Sequence, residues 1–118
     1  MTVEELRTRL DEEGLALVDV RSPHEFDGVA GAHCDPRQGH IPGAVNLPLE
    51  QLLECGNAAE VRALVGLPEG AEVIAYCHSG NRSDFAVQVL RGAGYEARNF
   101  AGSWHEWSRD LTLPAVAP

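Results

Sequence analysis

The 118-residue sequence is short of several things, and each shortage narrows the field. It has no surplus of positive charge: 18 acidic side chains against 9 basic ones leave a formal net charge of -9. No basic patch is visible, so nucleic acid is not an expected partner. The acidity repels small anions at long range, so any anion site has to be built locally. No apolar run approaches membrane-spanning length. The first residues, Met1-Thr2-Val3-Glu4-Glu5, lack the apolar core of a signal peptide. Cysteine is scarce, with only Cys34, Cys55 and Cys77, an odd and widely spaced set that does not make a disulfide framework. These features set the expectation of a cytoplasmic protein with reduced thiols and no membrane association. There is no internal repeat, linker or low-complexity tract, and the length suits a single domain, 1–118, with a real core.

What is present alternates. Thr2 with Glu5 makes a capping box for a first helix, whose apolar stripe is Val3, Leu6 and Leu10 and whose end is expected near Gly14. Leu15-Ala16-Leu17-Val18-Asp19-Val20 reads as a strand buried on both faces. Pro23 fits the first turn of a short helix. Residues 28–38 are loop-like. Gly39 to Pro48 reads as a turn into a short strand, with helical segments at 49–53 and 58–64. A strand ends at Cys77, and a helix follows with Phe85, Ala86, Val89, Leu90 and Ala93 at helical spacing. A last strand at 96–100 and a short helix at 103–109 precede a weakly patterned tail at 111–118. Strands alternating with helices predict an α/β domain: a parallel sheet of four to five strands, helices on both faces and right-handed crossovers. Ligands of such sheets sit at the strands' C-terminal ends, which is where Cys77 falls.

The stretch Val73-Ile74-Ala75-Tyr76-Cys77-His78-Ser79-Gly80-Asn81-Arg82-Ser83 carries the expected chemistry. A cysteine between a strand and a helix N-terminus faces inward-pointing amides that favour an anion. The same field holds a thiolate and brings a cysteine pKa from about 8.5 into a range of about 3.5–7.5. Arg82 adds a fixed charge and a two-pronged donor. A small buried cysteine that merely packs is the plain alternative, and its polar neighbours His78, Ser79, Asn81 and Arg82 are poor core company.

This loop, with four residues between Cys77 and Arg82, resembles that of the rhodanese family of sulfurtransferases. Three further stretches are similar to the family's motifs: Leu17-Val18-Asp19-Val20-Arg21 with Glu25-Phe26, Gly39-His40-Ile41-Pro42-Gly43-Ala44-Val45-Asn46-Leu47-Pro48, and Phe100-Ala101-Gly102-Ser103-Trp104-His105-Glu106-Trp107. Two features depart from the single-domain pattern. The short strand that usually precedes the first helix is missing, and twelve residues separate Phe26 from Gly39. That insertion resembles the catalytic C-terminal domain of tandem thiosulfate sulfurtransferases.

The resemblance implies an enzyme, a thiosulfate sulfurtransferase. Cys77 would accept sulfur from thiosulfate or a persulfide donor, and cyanide or a thiol would remove it. The loop residues His78, Ser79, Gly80, Asn81, Arg82 and Ser83 would hold the sulfur, with Arg82 orienting the donor or bracing the loop and Ser83 capping the helix. Asp19, Arg21 and Trp104 are supporting candidates, with Trp104 at the pocket mouth; for Asp19 and Arg21 a structural role stands beside the functional one. No metal or organic cofactor is implied. His33, Cys34, Asp35 and His40 match no trusted zinc spacing and read as plain loop. Cys34 would relay or resolve the persulfide only if its loop folds over Cys77, and Cys55 reads as structural. A thioredoxin-like or sulfur-relay protein is a further partner. The alternatives are a persulfide carrier serving a partner protein, and a phosphatase or arsenate reductase of the same fold, whose loop is one residue longer.

Overall fold

A computed structural model describes residues 1–118. Four parallel strands form one sheet in the order β2-β1-β3-β4: β1 Leu17–Asp19, β2 Val45–Asn46, β3 Glu72–Tyr76 and β4 Glu96–Asn99. Register pairs Val18 with Val45 and with Ala75, and Ala75 with Asn99. The chain leaves β1 first to one side and then to the other, so the switch in direction falls at the C-terminal ends of β1 and β3, the ligand position of open parallel sheets.

Side chains alternate across the strands and feed two cores. On one face Val18, Val73, Ala75 and Cys77 pack with Leu49 and Leu52 of α3 (Leu49–Glu54), Val61 of α4 (Ala58–Val65), and Ala86, Val87 and Leu90 of α5 (Asn81–Gly92). On the other, Leu17, Ile74 and Tyr76 pack with Leu6 of α1 (Val3–Arg9) and with Trp104 and Trp107 of α6 (Ser103–Trp107). Both tryptophans are fully buried, and each removes roughly 150–250 Å² from water. The predicted four-to-five-stranded parallel sheet with helices on both faces is the one found.

Local signals explain most element ends. Thr2 accepts from the Glu5 amide and Glu5 reaches back to Thr2, the expected capping box. Ser22 and Glu25 repeat it at α2 (Pro23–Asp27), where Pro23 takes the first turn. Two expectations are corrected. The first helix ends at Arg9, and Gly14 instead serves the following turn at φ +80°. Phe85 sits on the helical stripe by spacing yet is 61% exposed, because Val87 supplies the inward contact. The tail at 111–118 is docked: Leu113 is buried, Trp107 Nε1 donates to the Pro114 carbonyl at 2.7 Å, and His40 pairs with Val116. No helix is long and apolar enough to cross a membrane.

Candidate active site

Cys77 follows β3 directly, and Gly80 begins the helix behind it. Gly80 is held at φ +97°, and a Cβ there would lie 2.6 Å from the Ala101 carbonyl oxygen, so only glycine suits the turn. That turn aims the Gly80 amide at the sulfur: it donates to Cys77 Sγ at 3.1 Å. The buried Ser83 hydroxyl donates to the same sulfur at 3.3 Å. Ser83 therefore does not cap α5, whose N-cap is Gly80 without a side-chain bond. Ser103 Oγ, 3.9 Å from the sulfur, accepts from the Cys77 amide at 3.0 Å. Burial pushes the Cys77 thiol up. The Ser83 hydroxyl and the amides of Ser83, Gly80 and Ser79 outweigh it, and the thiol ends below its ordinary value.

The loop is gripped from behind. The first amides of α6 serve it rather than their own helix: Trp104 N–H donates to the Cys77 carbonyl and His105 N–H to the His78 carbonyl, both at 2.9 Å. Asn99 Nδ2 donates to the Gly80 carbonyl at 3.2 Å. Ser103 turns the chain into α6 at φ +55°, a left-handed backbone that a non-glycine residue rarely adopts. That strain sits directly beneath the cysteine. The Gly102-Ser103-Trp104 motif is visible in the sequence, but its role as the loop's support is not, because all but the Ser103 hydroxyl bond use backbone groups on both sides.

Arg82 is engaged at its fork. Its two terminal nitrogens donate to the two Glu25 oxygens at 2.8 and 3.0 Å. The clasp ties the active loop to α2, and the Arg82 guanidinium holds the Glu25 carboxyl down at about 2. Ser79 and Asn81 face solvent. A cysteine at a strand's C-terminal rim is expected within a ligand's reach, yet Cys77 is only 1% exposed. Its amides are aimed as expected, but the loop closes over the sulfur.

The supporting candidates fall on the structural side. Arg21 and Asp19 form a sealed ion pair, with Nη2 donating to Oδ2 at 2.7 Å and to the Gly39 carbonyl at 2.6 Å. Arg21 lies 5.2 Å from the Trp104 ring centre and 5.8 Å from that of Tyr76, so two aromatic faces screen it from any donor. Trp104 does not wall a pocket mouth; it is buried and donates to the Arg37 carbonyl at 3.0 Å. Cys55 donates to the Gln51 carbonyl at 3.4 Å and stands apart from the site.

The inserted residues 28–38 do fold against the loop, through His78. Asp35 Oδ2 comes to 3.0 Å from His78 Nε2, and Asp35 Oδ1 accepts from Arg109 at 2.8 Å. Cys34, Asp35, His78 and His105 gather into one group. His33 points to solvent, and His40 stacks on Phe26 with its Nδ1 2.8 Å from the Phe26 carbonyl oxygen, so neither joins it. His33 and His40 thus stand outside the group, and Cys34 and Asp35, loop residues as expected, join it.

The model of the rhodanese-like domain matches residues 2–110. A thiosulfate sulfurtransferase of Pseudomonas aeruginosa is 34% identical over 96% of this chain and 44% of its own length. A solved structure of a "Probable Thiosulfate Sulfurtransferase" superposes with a TM-score of 0.84 at 44% identity, covering 100% of this chain and 47% of that one. A human single-domain sulfurtransferase superposes at 0.66 with 35% identity, covering 93% of this chain and 95% of the human one. The chain spans less than half the length of the curated relatives it matches. With the family match running through both cores and the loop that holds Cys77, the chain belongs to the rhodanese-like family.

Proposed function

We propose that this domain is a sulfurtransferase that carries a sulfane sulfur on Cys77. The Cys77 thiolate attacks the outer sulfur of thiosulfate, a new S–S bond forms, and the old one breaks to release sulfite with its electron pair. A thiol or cyanide then attacks the outer sulfur of the persulfide and returns the Cys77 thiolate. The observation that carries this reading is the pair of donors on one sulfur, the Gly80 amide and the Ser83 hydroxyl. They stabilise an anion there as an oxyanion hole does. Thiosulfate as donor is supported by the names of the relatives.

Closure over Cys77 adds a condition. Donor and acceptor can meet the sulfur only if the loop gives way during turnover, and the partly exposed Arg82–Glu25 clasp is the fastening chosen for it. Opening it would free the Arg82 fork for the donor's sulfonate.

The test is to incubate the protein with thiosulfate, measure intact mass, and then add cyanide. A sulfur-sized gain on Cys77, discharged as thiocyanate and absent in Cys77→Ser, is the expected result. Turnover by Cys77→Ser near the wild-type rate would overturn the mechanism. A persulfide that forms only from a protein donor would overturn thiosulfate and leave a relay module.

A further inference from the structure

The group built around Asp35 has the composition and spacing of a metal centre. Cys34, Asp35, His78 and His105 each offer one donor atom, and all four lie within 4.8 Å of one another. Asp35 Oδ2 and His78 Nε2 are 3.0 Å apart, and Asp35 Oδ1 and His105 Nδ1 3.6 Å. Around a tetrahedral zinc ion with bonds of about 2.0–2.3 Å, neighbouring donors are separated by roughly 3.3–3.8 Å. The widest-spaced donors need to close by about 1–1.5 Å and the Asp35–His78 pair to open slightly to reach that geometry.

A second observation points to a missing cation. The Asp35 side chain is 1% exposed, and its Oδ2 has no hydrogen-bond partner. His78 Nε2 is likewise buried and unpaired: it faces Oδ2 at close range, but the alignment is wrong for a bond. A buried carboxylate oxygen and an imidazole nitrogen left facing each other without a bond are costly, and an ion between them removes the cost.

The surroundings hold the donors in place. Arg109 donates to Asp35 Oδ1 at 2.8 Å, to the Cys34 carbonyl at 2.8 Å and to the His105 carbonyl at 2.6 Å. It thereby fixes three of the four residues from behind and leaves Oδ2 turned to the centre, as outer-shell partners of metal ligands do. The His105 amide holds the fourth through the His78 carbonyl at 2.9 Å.

We infer that Cys34, Asp35, His78 and His105 form a binding site for a divalent cation of zinc's type. The donor set selects the ion: one thiolate, two imidazoles and one carboxylate suit Zn²⁺ over Mg²⁺ or Ca²⁺. On binding, Cys34 releases its proton to solvent, and its thiolate with the Asp35 carboxylate balances the ion's two charges. The bound ion ties residues 28–38 and α6 to His78, the residue after the nucleophile. The site does not depend on sulfur-transfer chemistry, so it stands or falls separately from the proposed function.

The test uses the full chain carrying Cys77→Ser, so that the nucleophile cannot serve as ligand, and titrates it with Co²⁺ followed by Zn²⁺. Saturation at one equivalent is expected, with the visible bands of tetrahedral cobalt, thiolate-to-cobalt absorption and displacement by Zn²⁺. Adding Cys34→Ser should abolish the thiolate absorption, and Arg109→Gln should weaken binding about 10–100-fold. Cys34 is exposed, so its substitution leaves the fold intact, which circular dichroism verifies. No saturable binding, a six-coordinate spectrum, or thiolate absorption that survives Cys34→Ser would each overturn the site.

Discussion

Replacing Glu25 with glutamine removes the charge from the clasp on Arg82 while keeping its shape and one acceptor. The Glu25 carboxyl titrates at about 2 in the fold against 4.5 without its partners, chiefly because of the Arg82 hydrogen bonds. Converted at 1.36 kcal/mol per pKa unit, that difference is at most about 3 kcal/mol. The Arg82 side chain is 37% exposed and Glu25 19%, so solvent screening reduces the expected contribution to about 1–2 kcal/mol. The sign follows from proton binding. Between about 2 and 4.5 the unfolded chain holds a proton on Glu25 that the folded chain lacks, so stability rises with pH through that window. The contribution is therefore complete above pH 4.5 and lost as pH falls toward 2. Urea unfolding of wild type and Glu25→Gln at a series of pH values measures it. The gap between the two should be about 1–2 kcal/mol at neutral pH and should shrink through the acid window. A gap that does not change with pH, or no gap at all, would refute the clasp as a charge interaction. Iodoacetamide labelling of Cys77 in the same samples reads the loop: faster labelling in Glu25→Gln at neutral pH is the expected result if the clasp helps close it.

Two further substitutions test other parts of the site. Ser83→Ala removes a donor from the Cys77 sulfur and should raise the pH at which Cys77 begins to react with iodoacetamide; an unmoved profile would assign the thiolate's stability to the loop amides alone. Arg21→Ala strands the Asp19 carboxylate in the core and should cost about 3–5 kcal/mol in chemical denaturation; unchanged stability with a raised KM for thiosulfate would return Arg21 to donor binding.

Much of what is local in this chain is legible in its sequence. The capping boxes at Thr2 and Ser22, the proline opening α2, the strand into Cys77 and the glycine turn behind it each depend on residues within a few positions. The place of Cys77 and the turn behind it follow from that local grammar. What escapes it joins distant positions. The Arg82–Glu25 clasp spans 57 residues, and Arg109 reaches Asp35 across 74. Chemical ambiguity hides the rest. A serine three residues into a helix looks like a cap whether its hydroxyl bonds an amide or a sulfur, as Ser83 does. A glycine-tryptophan motif beside the site suggests a pocket wall, whereas Trp104 uses its indole to carry Arg37 and its amide to carry Cys77. Spacing alone could not predict which side chains would meet, since His33 and Cys34 are adjacent and only the second brings its donor atom near His78.

The grip of Ser103, Trp104 and His105 on the backbone of Cys77 and His78 has a temporal side. Synthesis delivers residues in order, and folding begins before the last ones emerge. A ribosome that has finished all four strands and the helix after Cys77 has still not supplied the residues that anchor the anion's cradle. The thiol and the groups that face it are thus made early and fastened late, and a chain halted before residue 103 would carry Cys77 in a loop without these anchors on its backbone.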